Sequence, residues 1–299
     1  MKFKLLLPRN FNFWATVFSH GWCALPPFQV DREDRRLRIV IPRSNAGYDE
    51  VFLTENKRAL HVSVENISAA REQAISRISK CISSMFRIGE SFDAFYAETR
   101  KYPRYRWIAR KRAGRLLRCP TVFEDVVKMI CTTNCSWALT EIMVGELVRK
   151  LGTHIHSKVY SFPTPEVIAA CSESFLRKEI RCGYRAPYLL ELSRKIASGK
   201  LAVEEWRTSS VPTEELFMQV RSVKGVGPYA AGNILKLLGR YDYLGLDSWC
   251  RGKFYELFKK GRKVKDSTIE KYYAPFGKWR GLFLWMDITK DWHTEEFPL

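Results

Sequence analysis

The spacing of apolar residues changes its period once along the chain. In the first sixty-odd residues, apolar and polar positions alternate in three short segments, RLRIVIP, VFLT and ALHVSVE. This alternation places one face of a strand against a core, so it predicts a β-rich region over residues 1–67. From residue 68 onward apolar residues recur three and four apart, which is the pattern of amphipathic helices.

The helical pattern is clearest in AAREQAISRISKCISSMF, TVFEDVVKMICTTN, SWALTEIMVGELVRKLG and APYLLELSRKIASG. Gly152 and Gly199 stand where such helices should end, because glycine readily adopts the conformation that closes a helix. We therefore expect a mainly α protein with a small N-terminal antiparallel β region. The helical body, residues 68–299, is expected to form two lobes.

One turn interrupts the helical pattern with two glycines and a proline. The segment PTEELFMQVRSV carries apolar residues at helical spacing, and it leads directly into VKGVGPYAAGNIL. Pro228 suits the first turn of a helix, where its missing N–H costs no hydrogen bond. The sequence therefore predicts a helix, a tight glycine turn and a second helix.

The predicted turn has the features of a phosphate site. Gly225 and Gly227, on either side of Val226, let the main chain approach a ligand closely. The free N–H groups at the start of the following helix attract anions, and Lys224 adds a positive charge beside them. The alternative is that the glycines only close a tight connection between two packed helices.

The charge of the chain favours a polyanionic partner. Its 50 Lys and Arg residues against 32 Asp and Glu residues give a formal net charge of +18, as in many nucleic-acid-binding proteins. A solvated basic surface is the alternative.

No segment reaches the roughly 18 apolar residues of a membrane helix, and Pro8 ends the leucines of MKFKLLLPRNF too early for a signal peptide. We expect no membrane association and an intracellular location, in the cytoplasm or nucleoid of a bacterium or in the nucleus of a eukaryote.

The eight cysteines are dispersed, and in a reducing compartment we expect them to be free thiols. Cys131 and Cys135 lie four apart on a predicted helix, with His154 and His156 downstream. These side chains offer the ligand types of a zinc site. Two thiols buried in the core are the favoured interpretation.

VKGVGPYAAGNIL, followed by GLDSWCR, resembles the signature of the helix-hairpin-helix DNA glycosylases, the HhH-GPD superfamily. Further segments are similar in the same order over about residues 70–290, namely RCPTVFEDVVKMICTTN, FPTPEVIAA, CGYRAPYLLELSRKIASG and APFGKWRGLFLW. Together with the β region they point to the branch of the 8-oxoguanine and alkylpurine glycosylases. The resemblance implies a monomer that binds double-stranded DNA containing a damaged base, with DNA and base pocket between the two lobes. The DNA contacts it implies are Lys224, Gly225, Val226, Gly227 and Arg251.

Asp247 stands at the position of the family's catalytic carboxylate. Breaking an N-glycosidic bond develops positive charge at C1′ of the sugar, as glycoside hydrolysis does. A fixed carboxylate that faces this charge stabilises it and can orient an attacking water. Because Asp is also a good N-cap for the helix that begins at SWCRGKFYELF, the sequence leaves a catalytic role and a capping role open together.

Tyr229 occupies the position at which strand-cutting members of the family carry an imine-forming lysine. A phenol cannot form an imine, so we expect a monofunctional enzyme that only hydrolyses the glycosidic bond. Lys224 is the nearest amine, but its position suits a phosphate.

No cysteine follows Cys250, so the four-cysteine iron–sulfur loop of other branches is absent. We expect no metal and no cofactor, and leave open a monovalent cation at the hairpin.

Three residues match those that 8-oxoguanine glycosylases place in the gap left by a flipped base. By this resemblance Tyr184 wedges the base stack, while Asn134 and Arg185 hydrogen-bond the orphaned cytosine. The alternative for Asn134 is a residue that ends a helix. For Arg185 it is a surface residue or a phosphate contact.

The resemblance also predicts the base pocket. Tyr229 and Trp285 are its expected aromatic walls, while Asn233 and Gly281 replace the cysteine and the edge-reading glutamine of the 8-oxoguanine branch. An aromatic pocket without that amide suits a cationic alkylated purine. The sequence therefore predicts a base excision repair glycosylase for an alkylated purine. The alternatives are an 8-oxoguanine glycosylase, an inactive protein that recognises distorted DNA, and, for the two rings, ordinary core aromatics.

Overall fold

The computed structural model describes residues 1–43, 47–65 and 71–293. Five N-terminal strands form one antiparallel sheet in the order β1-β5-β4-β3-β2. The strands are β1 Lys2–Leu6, β2 Gln29–Asp31, β3 Arg36–Pro42, β4 Tyr48–Asn56 and β5 Ala59–Glu65. The boundary predicted between residues 67 and 68 lies outside the described residues.

The alternation read from the sequence gives this sheet one buried face. Leu37 lies opposite Leu53, Leu53 lies opposite Val62, and Val62 lies opposite Phe3. A row of apolar side chains thus crosses four strands. A slip of one residue would turn a strand's apolar side chains to the opposite face, so the buried face fixes the register.

The rest of the described chain is helical, apart from the connection between β1 and β2 and a two-stranded hairpin, β6 His154–His156 and β7 Val159–Tyr160. The connection contains α1 Phe13–Val17 and a short 3₁₀ helix, Gly21–Ala24. The remaining α-helices are α2 Arg71–Met85, α3 Asp93–Arg100, α4 Arg106–Lys111, α5 Val122–Thr132, α6 Trp137–Leu151, α7 Pro165–Ala169, α8 Glu173–Lys178, α9 Ala186–Ala197, α10 Thr213–Arg221, α11 Pro228–Leu238, α12 Ser248–Lys259, α13 Asp266–Tyr273 and α14 Arg280–Ile288. Short 3₁₀ helices lie between or after them, at Pro103–Tyr105, Gly183–Arg185, Val203–Arg207, Ala274–Trp279 and Lys290–His293. The predicted fold class is confirmed.

Local sequence explains several helix ends. The side chains of Thr121 and Ser136 accept hydrogen bonds from main-chain N–H groups in the first turns of α5 and α6, as N-cap residues do. Gly152 ends α6, and Gly199 follows α9 with a φ of +72°. None of the described helices is both long and apolar enough to span a membrane.

Buried side chains form two hydrophobic clusters, one for each lobe. The larger cluster joins the inner face of the sheet to α2 and to helices α5 to α11, and the smaller joins α3 and α4 to α12, α13 and α14. The sheet therefore shares its core with the larger helical lobe. Trp285 packs against both clusters, which places it at the boundary between the lobes.

Candidate active site

The predicted hairpin is present, with α10 ending at Arg221 and α11 beginning at Pro228. Gly225 has a φ of +87°, and a Cβ at this position would lie 2.4 Å from Cδ2 of Tyr188. Glycine is therefore required on two grounds, conformation and space. Gly227 precedes α11 without a side-chain cap, so the first N–H groups of the helix are left for an anion.

The hairpin residues divide between core and solvent. Val226 is buried and anchors the turn, whereas Gly227 is exposed. The side chain of Lys224 is 57% exposed, and its Nζ lies 3.5 Å from Oε2 of Glu191. An exposed pair of this kind contributes little to stability, so it leaves Lys224 available to another anion.

Asp247 combines the two roles that the sequence left open. It caps α12, and its Oδ1 accepts a 2.7 Å hydrogen bond from the N–H of Cys250. The same residue lines a cavity of about 600 Å³. A cap therefore fixes the carboxylate while the side chain still borders the cavity.

Residues from both hydrophobic clusters line the cavity, and six of the lining residues that the structure describes are aromatic. Ring centroids of Trp249, Trp285 and Trp292 lie 5.8 to 6.1 Å from one another. The indole N–H of Trp285 donates to the carbonyl of Ser19 at 2.9 Å, which fixes that ring. The aromatic residues along the wall are Trp22, Trp137, Tyr229, Trp249, Trp285 and Trp292.

Part of this wall comes from the N-terminal region, which sequence reasoning did not place near the site. His20, Gly21 and Trp22 line the cavity, and a Cβ at Gly21 would lie 2.3 Å from Cη2 of Trp137. The Nε2 of His20 contacts the carbonyl of Leu117 at 2.7 Å, and burial lowers the pKa of His20 to about 4. His20 is thus a neutral part of the wall near pH 7.

Tyr229 lines the cavity beside Asp247, as predicted for a pocket wall. Burial raises the pKa of Tyr229 well above its ordinary value, and the negative charge of Asp247 raises it further. Tyr229 is therefore a neutral phenol next to the carboxylate.

Asn233 and Lys236 form a hydrogen-bonded pair on the cavity side of α11. The amide nitrogen of Asn233 donates to the carbonyls of Tyr229 and Gly245, and its Oδ1 accepts from Nζ of Lys236 at 3.0 Å. Burial lowers the pKa of Lys236 to about 8. Sequence reasoning missed Lys236, although its position seven residues after Tyr229 places both on one helix face.

Gly281 lies outside the cavity wall, contrary to its predicted place in the base pocket. Its N–H donates to the carbonyl of Tyr241 at 2.8 Å. A Cβ at Gly281 would lie 2.2 Å from the carbonyl oxygen of Tyr243 and 2.7 Å from that of Tyr241. The glycine serves close main-chain packing beneath the pocket, and a glutamine would not fit there.

The three residues predicted to fill the gap in the DNA are brought together. Asn134 is exposed in the left-handed region with a φ of +47°. The hydroxyl of Tyr184, itself 43% exposed, donates to the carbonyl of Thr133, and so does the guanidinium of Arg185. Arg185 is only 3% exposed, so in this structure it supports the Asn134 turn and does not project toward a ligand.

Arg251, predicted as a DNA contact, is paired within the protein. Its Nε and Nη2 atoms each donate at 2.7 Å to the carboxylate of Asp266, at the start of α13. This two-point contact holds α12 against α13. Arg251 would have to leave Asp266 or share it before contacting a phosphate.

The cysteines and histidines considered as zinc ligands do not form a cluster in the described chain. Cys131 is buried, Cys135 contacts the Cys131 carbonyl at 3.1 Å, and His154 contacts the carbonyl of Ser157. Within 1–43, 47–65 and 71–293, the one group with metal-ligand geometry consists of Glu50, Glu65 and His156. It lies at the sheet, and none of its members lines the cavity.

Comparison with known proteins agrees with this geometry. The family described as "HhH-GPD superfamily base excision DNA repair protein" matches residues 127–275, which include the hairpin and Asp247. The chain is also 24% identical over 270 residues to YfjP of Bacillus subtilis (strain 168), whose name assigns it provisionally to the DNA-3-methyladenine glycosylases. That match covers 87% of this chain and 90% of YfjP.

Two solved structures share the fold over nearly the whole chain. The 3-methyladenine DNA-glycosylase of Archaeoglobus fulgidus superposes with a TM-score of 0.77 at 18% identity, covering 98% of this chain and 99% of that one. The 8-oxoguanine glycosylase/lyase of Clostridium acetobutylicum, bound to double-stranded DNA with cytosine opposite 8-oxoG, gives 0.74 at 17% identity and covers 98% of each chain. The chain belongs to the HhH-GPD superfamily of base excision DNA repair proteins.

Proposed function

We propose that this protein is a monofunctional DNA glycosylase of base excision repair that hydrolyses the N-glycosidic bond of an alkylated purine in duplex DNA. The observation that carries the proposal is the position of Asp247, which a helix cap fixes at the wall of an aromatic cavity. Its relative YfjP, with a name that points to 3-methyladenine, supports the same base class.

The carboxylate supplies the chemistry. As the glycosidic bond breaks, positive charge develops at C1′, and a nearby carboxylate in a water-poor site stabilises that charge. Asp247 can also orient the water that attacks C1′. The Cys250 N–H holds one carboxylate oxygen, so the group is already in place before the reaction.

The aromatic cage favours a cationic base. Trp249, Trp285 and Trp292 lie together on the cavity wall, and a positively charged alkylpurine is attracted to the faces of aromatic rings as well as stacked by them. Both the nitrogen and the oxygen of the Asn233 amide already make hydrogen bonds within the protein. It is therefore not offered to the edge of an 8-oxoguanine.

The product is an intact strand with an abasic site. Imine formation requires a free amine at C1′, and Tyr229 supplies a phenol at the family's lysine position. Lys236 is an amine at the cavity, but the side chain of Asn233 and the carbonyl of Leu244 hold its Nζ by hydrogen bonds. The proposal therefore assigns no imine-forming nucleophile to this site.

The remaining features serve DNA binding. The hairpin N–H groups and Lys224 would hold a phosphate of the duplex, and Tyr184 would enter the space left by the flipped base. Arg185 and Asn134 would contact the orphaned cytosine once Arg185 leaves the Thr133 carbonyl. Cytosine opposite implies a modified guanine, so N7-alkylguanine is the expected substrate.

The proposal is tested by duplexes that each carry one lesion opposite cytosine or thymine: 7-methylguanine, 3-methyladenine, hypoxanthine or 8-oxoguanine. After single-turnover incubation, hot alkali reveals abasic sites. Release of an alkylated purine is the expected result. Release of 8-oxoguanine alone would replace the alkylpurine assignment, and binding to every duplex without any release would indicate a protein that only recognises damaged DNA.

A further inference from the structure

Lys236 carries a buried ammonium group beside the cavity, and two glycines provide the space for its side chain. It is 2% exposed although it lines the cavity. A Cβ at Gly245 would lie 3.0 Å from its Nζ, and a Cβ at Gly281 would lie 3.1 Å from its Cε. A buried charge is costly, and an apolar side chain of similar volume often serves stability as well or better. Lys236 therefore calls for a functional explanation.

Two of the three N–H groups of the Lys236 ammonium have acceptors among the described residues, and one does not. Nζ donates to Oδ1 of Asn233 at 3.0 Å and to the carbonyl of Leu244 at 2.5 Å. An ammonium has three N–H donors, and the third has no protein acceptor in the part of the chain that the structure describes. That donor belongs to a side chain on the cavity wall.

Other polar groups along the wall are committed to the protein. The two ring nitrogens of His20 contact the Leu117 carbonyl and the N–H of Trp22. The hydroxyls of Thr132 and Thr140 donate to main-chain carbonyls. At the exposed side of the cavity, the side chain of Lys253 is 39% exposed and lies 3.3 Å from Glu256. Lys236 thus differs from these groups, because it is a buried, charged donor on the cavity wall with one N–H left for a bound base.

We propose that Lys236 determines which purine the cavity accepts, by donating a hydrogen bond to the carbonyl oxygen at C6 of a guanine-derived base. Adenine-derived bases carry an amino group at C6, which is a donor and cannot accept from an ammonium. The inference rests on the proposed function and adds to it the residue of the cavity that distinguishes alkylated guanines from alkylated adenines.

The charge of Lys236 is compatible with a cationic base because Asp247 lies close enough to interact with it electrostatically. The ammonium and the carboxylate together are neutral, and the aromatic rings supply the attraction for the cation. The ammonium therefore selects the base by the direction of its hydrogen bond. Its positive charge does not repel a cationic base, because the carboxylate of Asp247 balances it.

The test compares wild type with Lys236→Met in single-turnover release of 7-methylguanine and 3-methyladenine at one pH near 7. Each base has its own intrinsic lability, so the measured quantity is the ratio of the two rates and its change on substitution. Loss of one hydrogen bond from a charged donor should lower the 7-methylguanine to 3-methyladenine ratio about 10-fold to 100-fold. If folded Lys236→Met releases both bases more slowly by the same factor, the ratio is unchanged and the role proposed for Lys236 is overturned.

Two further variants control this comparison. Lys253→Met removes a charge at the exposed side of the cavity and should change both rates by the same factor. A changed ratio in Lys253→Met as large as in Lys236→Met would show that charge alone matters. If Lys236→Met does not fold, Lys236→Gln retains a donor without charge and should lower the ratio by a smaller factor, whereas an unchanged ratio contradicts the proposal.

Binding of free bases separates this inference from the proposed function. Wild-type protein is titrated with free 7-methylguanine and free 3-methyladenine, and quenching of the tryptophans on the cavity wall reports binding. Tighter binding of 7-methylguanine that is lost in Lys236→Met supports the role of Lys236 even if no base is excised from DNA. Equal affinity of the wild-type protein for the two bases overturns it.

Discussion

The N–H of Cys250 donates a 2.7 Å hydrogen bond to Oδ1 of Asp247, and Asp247 lines the aromatic cavity. The bond closes the first turn of α12, so the helix itself orients the carboxylate. Capping and the proposed catalysis therefore use the same side chain. This relationship makes it possible to separate the charge of Asp247 from its structural role.

Asp247→Asn should abolish base release and leave the fold and lesion binding nearly intact. Asparagine caps helices about as well as aspartate, but it lacks the charge that stabilises the oxocarbenium-like sugar. We expect a single-turnover rate at least about 10²-fold lower, with a lesion-duplex Kd close to that of the wild type.

Asp247→Ala is the matched control for this prediction. It removes the cap as well as the charge, so it should lose about 1 kcal/mol in the free energy of unfolding, whereas Asp247→Asn should not. Turnover of Asp247→Asn within a few-fold of wild type would remove the carboxylate from the mechanism.

Local pattern was sufficient for the parts of the site that lie in one segment. The hairpin glycines, the cap at Asp247 and three of the five strands, β3, β4 and β5, follow from spacing and residue type within a few residues of sequence. Trp22 and Trp137 could not be assigned in this way, because their place in the cavity depends on packing between the N-terminal region and α6. Sequence gives no local signal for such a contact.

Predicted roles of charged residues were the least secure for a physical reason. The type and position of Arg251 suited a phosphate, yet it pairs with Asp266 fifteen residues away, and Arg185 is buried against Thr133. A long cationic side chain takes whichever acceptor the fold presents. Lysine side chains are normally exposed to solvent, so the sequence alone does not predict that Lys236 is buried. Its burial becomes evident only in the fold, where Gly245 and Gly281 leave room for the side chain.

Borohydride present during turnover should trap no covalent protein–DNA adduct, and strands should break only after alkali. The reason is that Tyr229 is a phenol and Lys236 is held by two hydrogen bonds. The measurement is denaturing electrophoresis of labelled lesion duplex with and without borohydride. A trapped adduct in wild type that is absent from Lys236→Met would identify Lys236 as an imine-forming amine and refute the monofunctional assignment.

Binding to undamaged duplex should weaken steeply with salt. A chain with a net charge of +18 binds DNA by neutralising several phosphates and releasing their counterions. Kd measured by fluorescence anisotropy at salt concentrations between about 50 and 200 mM should rise by about tenfold or more. A Kd that barely changes over this range would count against phosphate contacts as the basis of binding.

Gly225→Ala should weaken binding to all DNA sequences alike. The φ of +87° and the Tyr188 ring 2.4 Å from a Cβ both oppose a side chain at this position, so the turn proposed to bind phosphate must distort. Gly199→Ala is a matched control, because Gly199 has a φ of +72° with no heavy atom near its Cβ and lies outside the hairpin. Gly199→Ala should retain the wild-type Kd. Equal loss of affinity in the two variants would attribute the effect to backbone strain in general.

The last prediction concerns stability at alkaline pH. Burial lowers the pKa of Lys236 from 10.5 to about 8, against the opposing charge of Asp247 and the neighbouring thiol of Cys250. Between those two pH values the unfolded chain keeps a proton that the folded chain has released. The free energy of unfolding therefore rises with pH over this interval, by an amount on the order of 3 kcal/mol from this group. Urea unfolding under reducing conditions at several pH values between 7 and 10.5 measures it. The difference between wild type and Lys236→Met should grow across the interval in favour of wild type, since the variant lacks the group, while the difference between wild type and Lys253→Met stays level. Parallel curves for wild type and Lys236→Met would show that Lys236 keeps its proton in the folded protein up to the same pH as in the unfolded chain.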